Sequence, residues 1–159
     1  MTMDAADLAH LRRAVELARQ ALESGDEPFG SVLVSDSGQV LFEDHNHVAL
    51  EATQHPEFAI ARWAGANLTA TERASATVYT SGEHCPMCSA AHGWVGLGRI
   101  VYALSAAQLS SWRSGWGAPE SPVAALPIAA VFPGAVVDGP APELENELRA
   151  LHEASARRT

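Results

Sequence analysis

Leu8, Leu11, Val15, Ala18 and Leu22 recur every three or four positions, the spacing of one buried stripe on a helix. Asp4 or Asp7 can cap that helix, and Gly25 ends it. The period then changes. Ser31-Val32-Leu33-Val34 reads as a strand, Asp36-Ser37-Gly38 as a turn and Gln39-Val40-Leu41-Phe42 as the returning strand of a β-hairpin. A polar loop runs from Glu43 through His45, Asn46 and His47 to Gln54.

His55-Pro56-Glu57 opens a second helix, with Pro56 at the first helical position, where a missing N–H costs nothing. The helix passes Phe58, Ile60, Ala61 and Ala64 and ends near Asn67. Thr69 to Ser75 reads as a polar linker, and Ala76-Thr77-Val78-Tyr79-Thr80-Ser81 as a strong strand. Cys85-Pro86 repeats the X-Pro opening; its helix passes Met87, Ala90, Ala91, Trp94 and Val95 and stops at Gly96 and Gly98. Arg99 to Leu104 is the next strand. Ser105 to Ser121, rich in Ser, Gly and Trp, is expected to be flexible. Ile128 to Phe132 is expected as a strand, Ala135 to Val137 as a further extended piece, and Glu143 to about Ala156 as a last helix carrying Leu144, Leu148 and Leu151. This order predicts an α/β fold, with a mixed five-stranded sheet and helices on both faces. No interior linker interrupts it, so 1–159 reads as one domain, with a motif-bearing core over about 8–104 and a strand and helix within 105–159.

Composition narrows the partners. The 159 residues are 47% hydrophobic and 18% charged, enough to bury a core, and carry a net charge of −9. Affinity for nucleic acid depends on Lys and Arg displacing counterions from phosphates. The longest basic run is Arg157-Arg158, so no nucleic-acid partner is expected and a small neutral ligand fits better. The acidic start, Met1 to Asp7, lacks the apolar core of a secretory signal. The apolar stretch from Pro122 to Phe132 is too short to span a bilayer and is broken by Pro127. No membrane partner is expected, and the cytoplasm is the expected compartment. In such a chain two cysteines point to metal binding or catalysis before a disulfide.

The chemistry concentrates at the two X-Pro steps. Cys85 and Cys88, three apart, share a helix face at a helix start, where the dipole favours thiolates. With His55 they can fill three corners of a zinc tetrahedron and leave the fourth for water, as catalytic zinc sites do. A water so held ionises near pH 7. Glu57, two residues after His55, is placed to take a proton from that water and deliver it to a substrate nitrogen.

H-x-E followed by C-x-x-C resembles the signature of the cytidine-deaminase-like zinc deaminases. Within them the chain is most similar to the guanine deaminase and tRNA adenosine deaminase branch. The matching stretches are Glu27 to Val34, Asn46, His55-Pro56-Glu57 and Thr80 to Cys88, and the resemblance covers about Leu8 to Leu104. It implies a three-layer α/β/α fold, one zinc per subunit, Glu57 as proton shuttle, Asn46 as hydrogen-bond partner of the base, and a homodimer or larger assembly. Two positions depart from the family pattern: Pro56 stands where Ala is usual, and His84 where Pro is usual. His84 is therefore expected beside the pocket, with an effect on substrate range, and the neighbouring Glu83 is expected to face the site. Phe29 is read as a wall against a flat base or as core, and Trp112 and Trp116 as a stacking lid or as packing under a loop. His10 and His152 are expected on helix surfaces, and Trp63 and Trp94 in the core or a subunit interface.

The expected activity is hydrolytic removal of an exocyclic amine from a free nucleobase or nucleoside, guanine first, then cytosine-like bases or amino-triazines, with water as co-substrate. The alternatives are tRNA adenosine-to-inosine deamination, a non-catalytic zinc-binding module, and a C-x-x-C redox pair, which leaves His55 and Glu57 unexplained.

Overall fold

The computed structural model describes residues 3–158. Met1 and Thr2, which head the acidic start, and Thr159 lie outside the described residues. Helix α1 spans Ala5–Glu23, and Asp4 caps it in a reciprocal box with Asp7. Strands β1 (Gly30–Val34) and β2 (Val40–His45) form the expected antiparallel hairpin. Helix α2 (Pro56–Asn67) starts after His55, and α4 (Pro86–Trp94) after Cys85. Between them lie α3 (Ala70–Ser75) and β3 (Thr77–Gly82). Then follow β4 (Ile100–Leu104), α5 (Ala106–Gly115), α6 (Ile128–Val131), β5 (Val137–Asp138), a 3₁₀ turn (Pro142–Leu144) and α7 (Glu145–Ala156).

The sheet order is β2-β1-β3-β4-β5, with β1 antiparallel to both neighbours and the β3-β4 and β4-β5 pairs parallel. The mixed five-stranded expectation holds. All five residues of β1 are buried, which requires cover on both faces. Val32, Val34, Tyr79 and Val101 pack with Leu11, Val15 and Ala18 of α1 and Leu148 of α7. Leu33 and Val78 pack with Ile60, Ala61 and Ala64 of α2 on the other face. Two separate apolar clusters, one per face, make three layers. Gly30 permits the close fit of β1 to α1: a Cβ there would lie 2.3 Å from the carbonyl oxygen of Ala14.

Asp7 joins the N-terminal helix to the far edge of the sheet. It accepts from Arg99 Nη1 at 2.8 Å and from the Tyr79 hydroxyl at 2.8 Å, while Arg99 Nε reaches Asp138 at 2.8 Å. The Arg99 guanidinium holds the Asp7 carboxyl down at about 2, against the opposing effect of burial.

Three expectations change. Thr69 to Ser75 is not a linker; Thr69 and Glu72 form a capping box that starts α3. Ser105 to Ser121 is not flexible throughout; Ser105 and Gln108 form another box that starts α5. Ile128 to Val131 is a short helix rather than a strand, and the fifth strand is Val137–Asp138, in the stretch read as an extra extended piece. Among the described residues no helix is long and apolar enough to cross a membrane.

Candidate metal centre and active site

Helices α2 and α4 pack against each other and begin side by side, because each starts at an X-Pro step directly after a potential ligand. His55 and Cys85 are the two N-cap residues; Cys88 lies in the first turn of α4. His55 Nδ1 is 3.5 Å from Cys85 Sγ and 3.6 Å from Cys88 Sγ, and the three donor atoms all lie within 4.8 Å of one another. A tetrahedral zinc with ordinary bond lengths separates its nitrogen and sulfur ligands by about 3.6 Å. The donors therefore fit zinc in type and spacing.

The thiols differ. Cys85 Sγ accepts from the Cys88 backbone N–H at 3.5 Å. The Cys88 thiol and His55 both stabilise the Cys85 thiolate, bringing it down to about 4. That thiolate, together with burial, pushes the Cys88 thiol far up. Cys85 in turn raises the pKa of His55. The cluster thus holds protons that a divalent cation would displace.

Glu57 is 5% exposed, and burial raises its pKa while a hydrogen bond from Thr80 lowers it. Its Oε1 lies 2.8 Å from Thr80 Oγ1 and 3.1 Å from Ser31 Oγ. Ser31 and Thr80 are directly paired across β1 and β3 and are 2.9 Å apart. These two hydroxyls were not singled out from the chain. The available signal was a hydroxyl side chain within each of two strands, Ser31 beside Val32 and Thr80 beside Tyr79, since a polar group buried in a sheet needs a specific partner.

Of the expected substrate contacts, Asn46 is 1% exposed; its N–H donates to the Phe29 carbonyl at 3.0 Å, and its side-chain Oδ1 is buried without a partner. Phe29 packs its ring over Gly82, where a Cβ would lie 2.9 Å away, and meets His152 edge-on at 5.0 Å. Gly82 directly precedes Glu83, so Phe29 borders the loop that carries Cys85. Glu83 uses both carboxylate oxygens on backbone amides, those of Ala106 and Ile128, each at 2.9 Å. His84 is 1% exposed and packs edge-on to His92 at 5.4 Å; burial drives its pKa well down. Trp112 packs against the cluster under α1 and lies beneath Arg149 at 5.6 Å. His152 is buried, not on the surface as expected, and its pKa falls to about 3 through burial. Trp63 stacks on Phe42 at 5.3 Å, whereas Trp94 is 88% exposed.

A cleft of about 460 Å³ opens beside His55, lined by Asp44, Thr53, Gln54, Phe58 and Arg62. Neither Glu57 nor either cysteine lines it, so it lies on the outer side of His55.

The family described as the cytidine and deoxycytidylate deaminase zinc-binding region matches residues 4–104. A probable cytosine deaminase of Schizosaccharomyces pombe is 39% identical over 102 residues, 62% of this chain and 60% of that protein. The guanine deaminase of Bacillus subtilis is 38% identical over 96 residues, 58% of this chain and 61% of that protein. The matches thus span about three-fifths of these relatives. A solved guanine deaminase from Nitrosomonas europaea superimposes over 99% of this chain and 87% of its own, with a TM-score of 0.72 at 21% identity, which establishes a shared fold.

Proposed function

The chain belongs to the cytidine and deoxycytidylate deaminase zinc-binding family, and from that premise we propose that it is a hydrolytic deaminase of a free nucleobase, with guanine and cytosine-like bases the leading substrates. One observation carries the reading: a buried carboxylate, Glu57, is held by two hydroxyls two residues from a three-donor cluster with zinc-like spacing. The free-base preference is supported by relatives named as cytosine and guanine deaminases at nearly equal identity.

His55, Cys85 and Cys88 would hold the zinc, which when bound polarises water and lowers its pKa toward about 7. The reaction adds water across the amine-bearing ring carbon: a C–O bond forms, the C–N bond breaks, and the amine departs as ammonia. Glu57 accepts a proton from the water, gives it to the ring nitrogen, and then transfers the second to the leaving amine. Burial raises its pKa, which favours the protonated form that Glu57 passes through between the two transfers. Ser31 and Thr80 fix the carboxylate, so little reorganisation is needed at each step. Asn46, with its unpartnered buried Oδ1, is the base-edge partner, and Phe29 the flat wall. A homodimer belongs to the proposal, supported by exposed Trp94 on α4.

Ammonia release by the zinc-loaded chain, screened across guanine, cytosine, isocytosine, adenine, their nucleosides, amino-triazines and a tRNA anticodon stem, tests the proposal. Turnover of a free base is expected. Turnover of the anticodon adenosine alone, or of none, contradicts it.

A further inference from the structure

We propose that Glu83 is a positioning residue for the reaction, clipping both ends of the segment from Ala106 to Ile128 onto the loop that bears Cys85. The inference rests on the deaminase reading above. Glu83 sits two residues before Cys85, and its own N–H donates to the Leu104 carbonyl at 2.8 Å, which anchors it to the end of β4. Its Oε1 accepts from Ala106 N–H and its Oε2 from Ile128 N–H, each at 2.9 Å.

Those two amides are first-turn donors of α5 and α6, which have no partner within their own helices. A carboxylate is also the charge that helix starts favour. One side chain therefore sets both ends of an excursion that carries Trp112 and the exposed Val123 and Leu126. The far end bears on the metal centre. Ile128 is 1% exposed, and Phe132 lies 3.2 Å from where a Cβ on Gly93 of α4 would be, so α6 backs the helix that carries Cys88.

Glu83 thus joins three things: the ligand loop, the start of α5, and the helix that supports α4. It touches neither a metal donor nor Glu57. Its loss should loosen the excursion from the ligand loop and from the back of α4, and leave the ligands and the proton shuttle in place. Glu83→Gln keeps one acceptor oxygen and presents an NH₂ to the other amide. Glu83→Ala frees both amides, so the two variants should form a graded pair.

The test measures hydrogen exchange at Ala106 and Ile128, protease cleavage within 117–127, zinc content, and KM and kcat for the base that the screen identifies. Losing a hydrogen bond to a charged acceptor corresponds to a change of about 10- to 100-fold. Exchange should accelerate by that order at one amide in Glu83→Gln and at both in Glu83→Ala. Cleavage should rise in parallel, KM should increase by about tenfold or more, and kcat should change less, with zinc content unaltered. Unchanged exchange at both amides, loss of zinc, or a fall in kcat at constant KM would overturn the proposal. Glu83→Gln alone decides it if Glu83→Ala fails to fold. Absence of ammonia release by the unsubstituted chain would defeat the deaminase reading, and with it the positioning role, while exchange would still decide whether the clip exists.

Discussion

Thr80 Oγ1 lies 2.8 Å from Glu57 Oε1, so the carboxylate carried by α2 is oriented from the central strand β3. The hydroxyl that holds Glu57 also moderates its acidity. Burial raises the pKa of Glu57, and the Thr80 hydrogen bond opposes that rise. Thr80→Val removes the bond at nearly constant volume. The Glu57 pKa should climb further, and the acidic limb of the kcat/KM profile should move to higher pH, because Glu57 must be ionised to accept the first proton. A hydrogen bond to a charged group is worth about 1.5–3 kcal/mol, so kcat should fall about 10- to 100-fold. Steady-state pH profiles of the two proteins provide the check.

Zinc binding should release protons. Without metal, the Cys88 thiol holds its proton because of the adjacent Cys85 thiolate, and His55 holds its own to higher pH than a free imidazole. Zinc requires both sites deprotonated. Affinity should therefore rise with pH through the neutral range, and acidification should free the metal. Titration against a chromophoric chelator at several pH values measures the slope. Cys88→Ala should hold well under one zinc per chain and lose thermal stability.

The Asp7–Arg99 pair makes stability sensitive to acid. The Arg99 guanidinium beside Asp7 holds its carboxyl down at about 2 in the folded protein, below the ordinary aspartate value of 3.8. A depressed carboxylate stabilises the fold above its unfolded pKa, and that contribution is lost as pH falls from about 4 to about 2. The shift corresponds to about 2 kcal/mol. Asp7→Asn leaves the mostly buried Arg99 with Asp138 as its remaining carboxylate partner, and should cost about 3 kcal/mol at neutral pH. Urea unfolding at pH 7 and pH 3 should show the difference between the two proteins shrinking in acid.

What could be read from the chain divides along physical lines. The stripe on α1, the hairpin and the three metal donors follow from local spacing, and each is where the residues indicate. The X-Pro openings at His55 and Cys85 predict helix starts because proline suits the first helical turn and disfavours its interior. The short elements of the C-terminal third are not fixed by periodicity. Ile128-Ala129-Ala130-Val131 is an apolar run that periodicity cannot assign to strand or helix, and its N–H partner, Glu83, lies 45 residues earlier. The boxes at Thr69/Glu72 and Ser105/Gln108 were visible in the sequence but obscured by polar surroundings. The roles of Ser31 and Thr80 depend on strand register, which no local pattern specifies.

The central claim is that Glu57 moves the protons of a zinc-dependent deamination. Glu57→Gln preserves size and an acceptor oxygen but cannot carry a proton between pH 5 and 9. Ammonia release from the preferred base should fall by at least about a hundredfold, the lower end expected for loss of a general acid–base group, with about one zinc still bound per chain. Undiminished ammonia release by a zinc-loaded Glu57→Gln protein would contradict the account.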